Sequence, residues 1–145
     1  MTEERHHSKA TLKLTHRGVL AALNAAADAA EEIGVPQCVV LVDATGTTLA
    51  SLRMDGAKFL SLRTASRKAI TAASARSATG DMDGIKSLRL AVATDGDFIS
   101  LEGGLPIFIG GHLVGAIGVG SGTGAEDLTV ARAAIAAIDA AAETP

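Results

Sequence analysis

Apolar positions along the chain recur with two periods, and each change of period marks an element. From Thr15 to Glu32, Val19, Leu23, Ala26, Ala27 and Ala30 share one stripe while Arg17, Asn24, Asp28 and Glu31 lie off it, the spacing of an amphipathic helix. Gly34 and Pro36 end it. Gln37 to Val42 is a β-branched run, Asp43-Ala44-Thr45-Gly46 is a turn, and Thr47 to Arg53 completes a β-hairpin. An alanine-rich stretch from Ala57 to Ser77, with Phe59, Leu62, Ala69 and Ala73 aligned, predicts a second helix packed across that hairpin. Residues 78–97 mix turn formers with a short helical segment, Ile85 to Ala91. Three extended segments follow: Phe98–Leu101, Pro106–Ile109 and His112–Val119, the last two joined by the two-residue turn Gly110-Gly111. Thr123 and Glu126 form a capping box, after which Leu128, Ala131, Ile135, Ile138 and Ala142 make the apolar face of a closing helix. This order predicts an α+β domain, an antiparallel sheet of five strands with helices packed on it.

Composition narrows what such a domain can do. With 145 residues the chain fits one domain, expected over 12–145 behind a mobile tail over 1–11, large enough for a core without disulfides. No apolar run approaches a membrane span and the start lacks a signal-peptide core, so a cytoplasmic protein without membrane contact is expected. Cys38, the single cysteine, lies in an apolar run and reads as a buried structural thiol. A net charge of −3 and the absence of Trp and Tyr argue against a nucleic-acid partner. Yet six of the thirteen basic residues, Arg53, Lys58, Arg63, Arg67, Lys68 and Arg76, crowd into 53–76 against one acid, Asp55. That local excess could attract a small anion or simply coat a helix.

Nine of the sixteen glycines fall between 102 and 124. Gly110-Gly111 serves a turn, and Gly122 and Gly124 precede a helix. Gly103-Gly104, Gly115, Gly118 and Gly120 instead imply close approach to the backbone by a partner subunit, a helix or a ligand. A phosphate loop does not fit, because no Gly-Lys-Ser/Thr or Gly-x-Gly-x-x-Gly occurs there. No histidine pair has a zinc spacing with cysteines, and no Gly-x-Ser-x-Gly elbow is present. His16, in the first turn of the first helix, is a candidate ligand or a surface histidine. Arg53 and Asp55 are either an ion pair beside the basic helix or part of a binding site.

Val42-Asp43-Ala44-Thr45-Gly46 running on to Arg53-Met54-Asp55-Gly56, then Lys68-Ala69, Gly103-Gly104-Leu105-Pro106, Gly115-Ala116-Ile117-Gly118-Val119 and Glu126-Asp127 together resemble the GlcG/HbpS family of small haem-binding-type domains, from about Leu12 to Ala141. The resemblance extends to the C-terminal domain of PduO. It implies a profilin-like fold with a five-stranded antiparallel sheet, and assembly into homo-oligomers. It departs at Gly118-Val119-Gly120-Ser121-Gly122, where the family's Gly-Val-Ser-Gly-Gly has its serine one place earlier.

Two functions follow as expectations. In the first, haem or another anionic small molecule is held between Arg53, Lys68, Gly103, Gly104 and Ser121, with His16 on the haem iron. In the second, a small catabolic enzyme acts on a carboxylated metabolite by proton transfer, as an isomerase, tautomerase, deaminase or hydratase. Arg53 would then anchor the carboxylate, the Gly103 and Gly104 N–H groups would hold an oxyanion, and Asp55, Glu102 or His112 would move the proton.

Overall fold

A computed structural model describes residues 6–142; residues 1–5 of the expected tail and residues 143–145 of the domain lie outside the described residues. The elements are α1 (His16–Ile33), β1 (Cys38–Asp43), β2 (Thr48–Arg53), α2 (Ser61–Ala75), α3 (Gly84–Ala93), β3 (Gly104–Ile109), β4 (His112–Gly120) and α4 (Gly124–Ala142). Local chemistry sets most of their ends. The Thr15 hydroxyl accepts from Gly18 N at 3.2 Å to start α1, and Gly34, in the left-handed region, returns its N–H to the Ala30 and Glu31 carbonyls to stop it. Thr123 and Glu126 exchange side-chain and backbone bonds of 2.9 and 3.2 Å, the capping box that opens α4.

The four strands form one antiparallel sheet in the order β2-β1-β4-β3. Helices α1 and α4 cover one face and α2 the other, so both faces of β1 are buried and its residues alternate between two cores. Val39 and Leu41 meet Val19, Ala22 and Ala26 of α1 and Val130 and Ala134 of α4. Cys38, Val40 and Val42 meet Ala65, Ala69 and Ala72 of α2. Alanine on α2 and glycine on β4 let helix and sheet nearly touch. A Cβ on Gly118 would overlap the Ala65 carbonyl and lie 2.7 Å from Ala69 N, so of the three readings left open for the glycine-rich strand, a close-packed helix accounts for Gly118.

The sheet has four strands among the described residues, not five. Phe98–Leu101 joins no ladder, because side chains satisfy its backbone first. Thr71 Oγ1 donates to Asp97 O and accepts from Ile99 N at 3.2 and 3.0 Å, and Thr79 Oγ1 donates to Leu101 O. The segment is strapped to α2 and the 79–82 loop instead of to a strand.

The β1–β2 turn is organised by Asp43, whose Oδ1 accepts from Thr45 N, Thr45 Oγ1 and Thr47 N at 2.9, 2.8 and 3.1 Å. The Thr45 hydroxyl is the main cause that holds its carboxyl below the usual range. A depressed folded pKa contributes stability that is present above the ordinary carboxylate value of about 3.9 and lost as pH falls through the folded value. Asp43→Ala is therefore expected to lower unfolding stability by about 1 kcal/mol at neutral pH in urea titrations, with the gap between the two proteins closing below about pH 3. A gap that persists unchanged in acid would show that the turn does not depend on the carboxylate.

Candidate functional site

Most of the conspicuous residues of the sequence converge on one end of the sheet, where β4 runs into α4. Lys68 of α2 and Asp127 in the first turn of α4 are 5% and 2% exposed, and Lys68 Nζ lies 3.0 Å from Asp127 Oδ2. The same ammonium donates to Val119 O at 2.7 Å, and Asp127 Oδ1 accepts from Gly122 N at 3.0 Å. Gln37 completes the set: fully buried, with its amide nitrogen turned toward the oxygens, it donates to Gly120 O at 2.5 Å and Asp127 Oδ1 at 2.9 Å. Burial pushes the Asp127 carboxyl up, against the opposing pull of the Lys68 bond and charge and the Gly122 N–H. Lys68, expected to pair with a ligand carboxylate, pairs internally, because its side chain points through the sheet end to the opposite helical layer. Gln37 and Asp127 escaped the sequence reading as site residues; a lone amide inside the apolar run Val35-Pro36-Gln37-Cys38-Val39 was the available signal.

The Gly103-Gly104 loop packs against this network. A Cβ on Gly103, whose φ is +121°, would lie 2.6 Å from Val119 O and 3.0 Å from Lys68 Nζ, so glycine is required there by both conformation and space. The Gly104 N–H, expected to face an oxyanion, donates to Thr79 Oγ1 at 2.9 Å. The Ser121 hydroxyl accepts from Lys58 N at 3.0 Å and thereby ties the start of α2 to the end of β4. Glu102 is exposed, its carboxylate lying against Gly124 at the start of α4, where the helix dipole favours negative charge.

Arg53 stands two strands away from Gly120, opposite Cys38, across the register Arg53–Cys38–Gly120. That pairing puts its side chain on the α2 face beside Cys38, whose thiol is pushed up by burial and drawn back by the Arg53 charge. Three strand spacings, roughly 14 Å, separate Arg53 from the Gly103 region, with the start of α2 seated over Gly118 and Gly120 between them. Arg53 and Asp55 also border a groove of about 510 Å³ at this end of the molecule, lined by Ala27, Ala30, Pro36 and Met54. The basic run disperses likewise. Besides Lys68, Arg67 donates to Gly96 O at 2.6 Å and Arg76 lies over the Phe108 ring at 5.5 Å.

The two candidate histidines lie far from that end. His112 begins β4 and Gly120 ends it, about 26 Å along a nine-residue strand. His16, exposed in the first turn of α1, lines a cavity of about 400 Å³ with Lys13, Leu14, Thr15, Val19 and Leu49. A second cavity of about 320 Å³ shares Lys13, Leu14 and Thr15 and adds Arg17, Gly18, Ile109 and Ile138. Together they form an aliphatic cleft astride the 13–15 segment, with one imidazole and two cations at its edge. No cluster of three or more metal-ligating side chains occurs among the described residues, and no described helix is long and apolar enough to cross a membrane.

The buried pair yields a direct test. Lys68→Met leaves Asp127 buried without its cation and is expected to cost about 3–5 kcal/mol in urea unfolding, part of which Asp127→Asn in the same chain restores. Because a raised carboxyl pKa favours folding with the proton bound, the stability of the single variant should fall as pH rises from about 4 to 7, more steeply than that of the parent. A loss below about 1 kcal/mol would deny the pair its structural role.

Comparison with known proteins agrees with this fold. The chain is 31% identical over 140 residues to the corrinoid adenosyltransferase PduO of Salmonella typhimurium, 92% of this chain but 42% of that one, so it spans about two-fifths of that relative's length. A crystal structure of a PduOC:heme complex superposes with a TM-score of 0.81 at 29% identity, over 87% of this chain and 95% of the other. A double mutant of HbpS from Streptomyces reticuli superposes with a TM-score of 0.79 at 32% identity, over 94% of each chain. The family described as haem degrading protein HbpS-like matches residues 14–136. With nearly the whole described domain inside that match, the chain belongs to the HbpS-like family.

Proposed function

We propose that this protein binds haem, and that His16 is the residue that would ligate its iron. The observation that carries the reading is the cleft beside His16: an exposed imidazole at the edge of aliphatic walls made by Leu14, Val19, Leu49, Ile109 and Ile138, rimmed by Lys13 and Arg17. Each part suits a component of the group. Aliphatic side chains accept a porphyrin face, cations pair with propionates, and neutral imidazole is a common haem ligand. The two cavities share one wall and reach the size range of small-molecule sites. Bound haem would supply iron-centred ligand and electron-transfer chemistry; the chain would supply the imidazole, the apolar walls and the propionate partners. The HbpS-like family match and the likeness to a haem complex of a 29% identical chain support the same ligand class.

The proton-transfer alternative needs Arg53, the Gly103 and Gly104 N–H groups and an acid or base around one substrate. Arg53 and Gly103 are separated by the start of α2, Gly104 N is bonded to Thr79, and His112 is at the other end of β4. Haem binding at the His16 cleft requires no such rearrangement.

Absorbance titration with haemin is expected to give a saturable Soret shift. His16→Ala should weaken binding at least tenfold and alter the Soret position, and Leu49→Glu should weaken it by placing a charge in the apolar wall. Arg53→Lys should leave the titration unchanged. Unaltered binding and spectrum in His16→Ala, or loss in Arg53→Lys alone, would move the site to the other end of the sheet.

A further inference from the structure

The groove of about 510 Å³ beside Arg53 lies toward the opposite end of α1 from His16. Ala27 and Ala30 of α1, Val35 and Pro36 of the turn that follows, and Leu52 and Met54 at the end of β2 give it apolar walls. Its volume falls in the range of small-molecule sites. Glu31, Arg53 and Asp55 border the same walls. All three are exposed, and none enters either ion pair found among the described residues, Lys68–Asp127 and Arg67–Asp97. Arg53 and Asp55 are neighbours but one in the chain, so opposite charges stand beside one cavity without neutralising each other. Glu31 is set against the field of its own helix. α1 ends in Glu31-Glu32-Ile33 with no base in its last turn, at the terminus where the helix dipole disfavours a carboxylate.

We infer that this groove binds a small zwitterion with an apolar side chain, the chemistry of an apolar α-amino acid. Charge complementarity selects that class. The ligand carboxylate pairs with the Arg53 guanidinium, the ammonium with the Asp55 and Glu31 carboxylates, and the side chain enters between Ala27, Leu52 and Met54. β2 is an edge strand and Arg53 its last residue, exposed and without an ion-pair partner among the described residues, so its long side chain is free to turn from the Cys38 side to the groove. A ligand with one sign of charge answers the rim poorly: a simple carboxylic acid meets two carboxylates, and a simple amine meets the guanidinium. A cation held between Glu31 and Asp55 also relieves the charge left uncompensated at the end of α1. The groove is independent of the haem reading, because Ala27 stands about 16 Å from His16 along the α1 axis.

Titration of the full chain with L-phenylalanine, L-leucine, 2-phenylethylamine and 3-phenylpropionate, followed by calorimetry and nuclear magnetic resonance, tests the inference. The amine and the acid keep the ring of L-phenylalanine and each drop one of its charges. At least one of the two amino acids is expected to bind saturably and to shift the resonances of Ala27, Ala30, Leu52 and Met54, with the amine and the acid each weaker by about tenfold or more. Arg53→Gln and Asp55→Asn should each weaken the amino acid by a similar factor while leaving the melting profile unchanged, since both residues are exposed. Ala27→Leu, which fills the groove with an apolar side chain, should abolish the shifts and leave the haemin titration as in the parent. Failure of both amino acids to bind, equal affinity for the amine or the acid, or unchanged affinity in both Arg53→Gln and Asp55→Asn overturns the proposal. So do shifts centred away from Ala27 and Leu52.

Discussion

A lysine and an aspartate buried together at the end of β4 govern how the two helical layers meet. Lys68 comes from the layer on one face and Asp127 from the layer on the other, and their contact passes the end of the sheet at Val119. Desolvating both charges is costly, and the cost is offset only where every remaining donor and acceptor finds a partner. Here the Val119 carbonyl, the Gly122 N–H and the Gln37 amide do so. The requirement propagates outward. Gly103 must lack a side chain to clear the ammonium, since a Cβ there would lie 3.0 Å from Lys68 Nζ, and a Cβ on Gly122 would lie 3.0 Å from Asp127 Oδ1.

The same need for closeness explains the alanines. An interior made largely of Ala, Val and Gly gives each residue little apolar surface to bury, so stability depends on how closely the layers approach. α2 touches the sheet backbone at Gly118, and α1 meets the core through Ala22, Ala26 and Ala30. Ligand space is therefore scarce in the middle of the molecule. It opens where the layers end, beside His16 at one end of α1 and beside Arg53 near the other.

Those features account for which parts of the molecule were legible in the sequence. α1, the β1–β2 hairpin, α2, the Gly110-Gly111 hairpin and the α4 capping box rest on local rules, and the sequence shows each of them. Phe98–Leu101 has strand composition but takes its hydrogen bonds from Thr71 and Thr79, which are distant in sequence and give no local signal. Lys68 and Asp127 were visible as residues; that they face one another across the end of the sheet is a tertiary fact. Their chemistry suits a ligand site and a buried tie equally well, and only burial separates the two. α3 was legible as a helical segment, whereas its lack of a packing partner was not.

The molecule thus divides its labour: charged and glycine-rich residues at the end of β4 tie the layers together, while the cleft beside His16 is the site proposed for the ligand. Nuclear magnetic resonance of the protein loaded with ferric haem, compared with its diamagnetic gallium(III) counterpart, addresses both halves at once. Paramagnetic effects should be strongest at Leu14, Val19 and Leu49 and weak at Gly103, Gly120 and Ser121. Effects centred on Gly103, Gly120 and Ser121, with Leu14 and Leu49 unperturbed, would contradict the account.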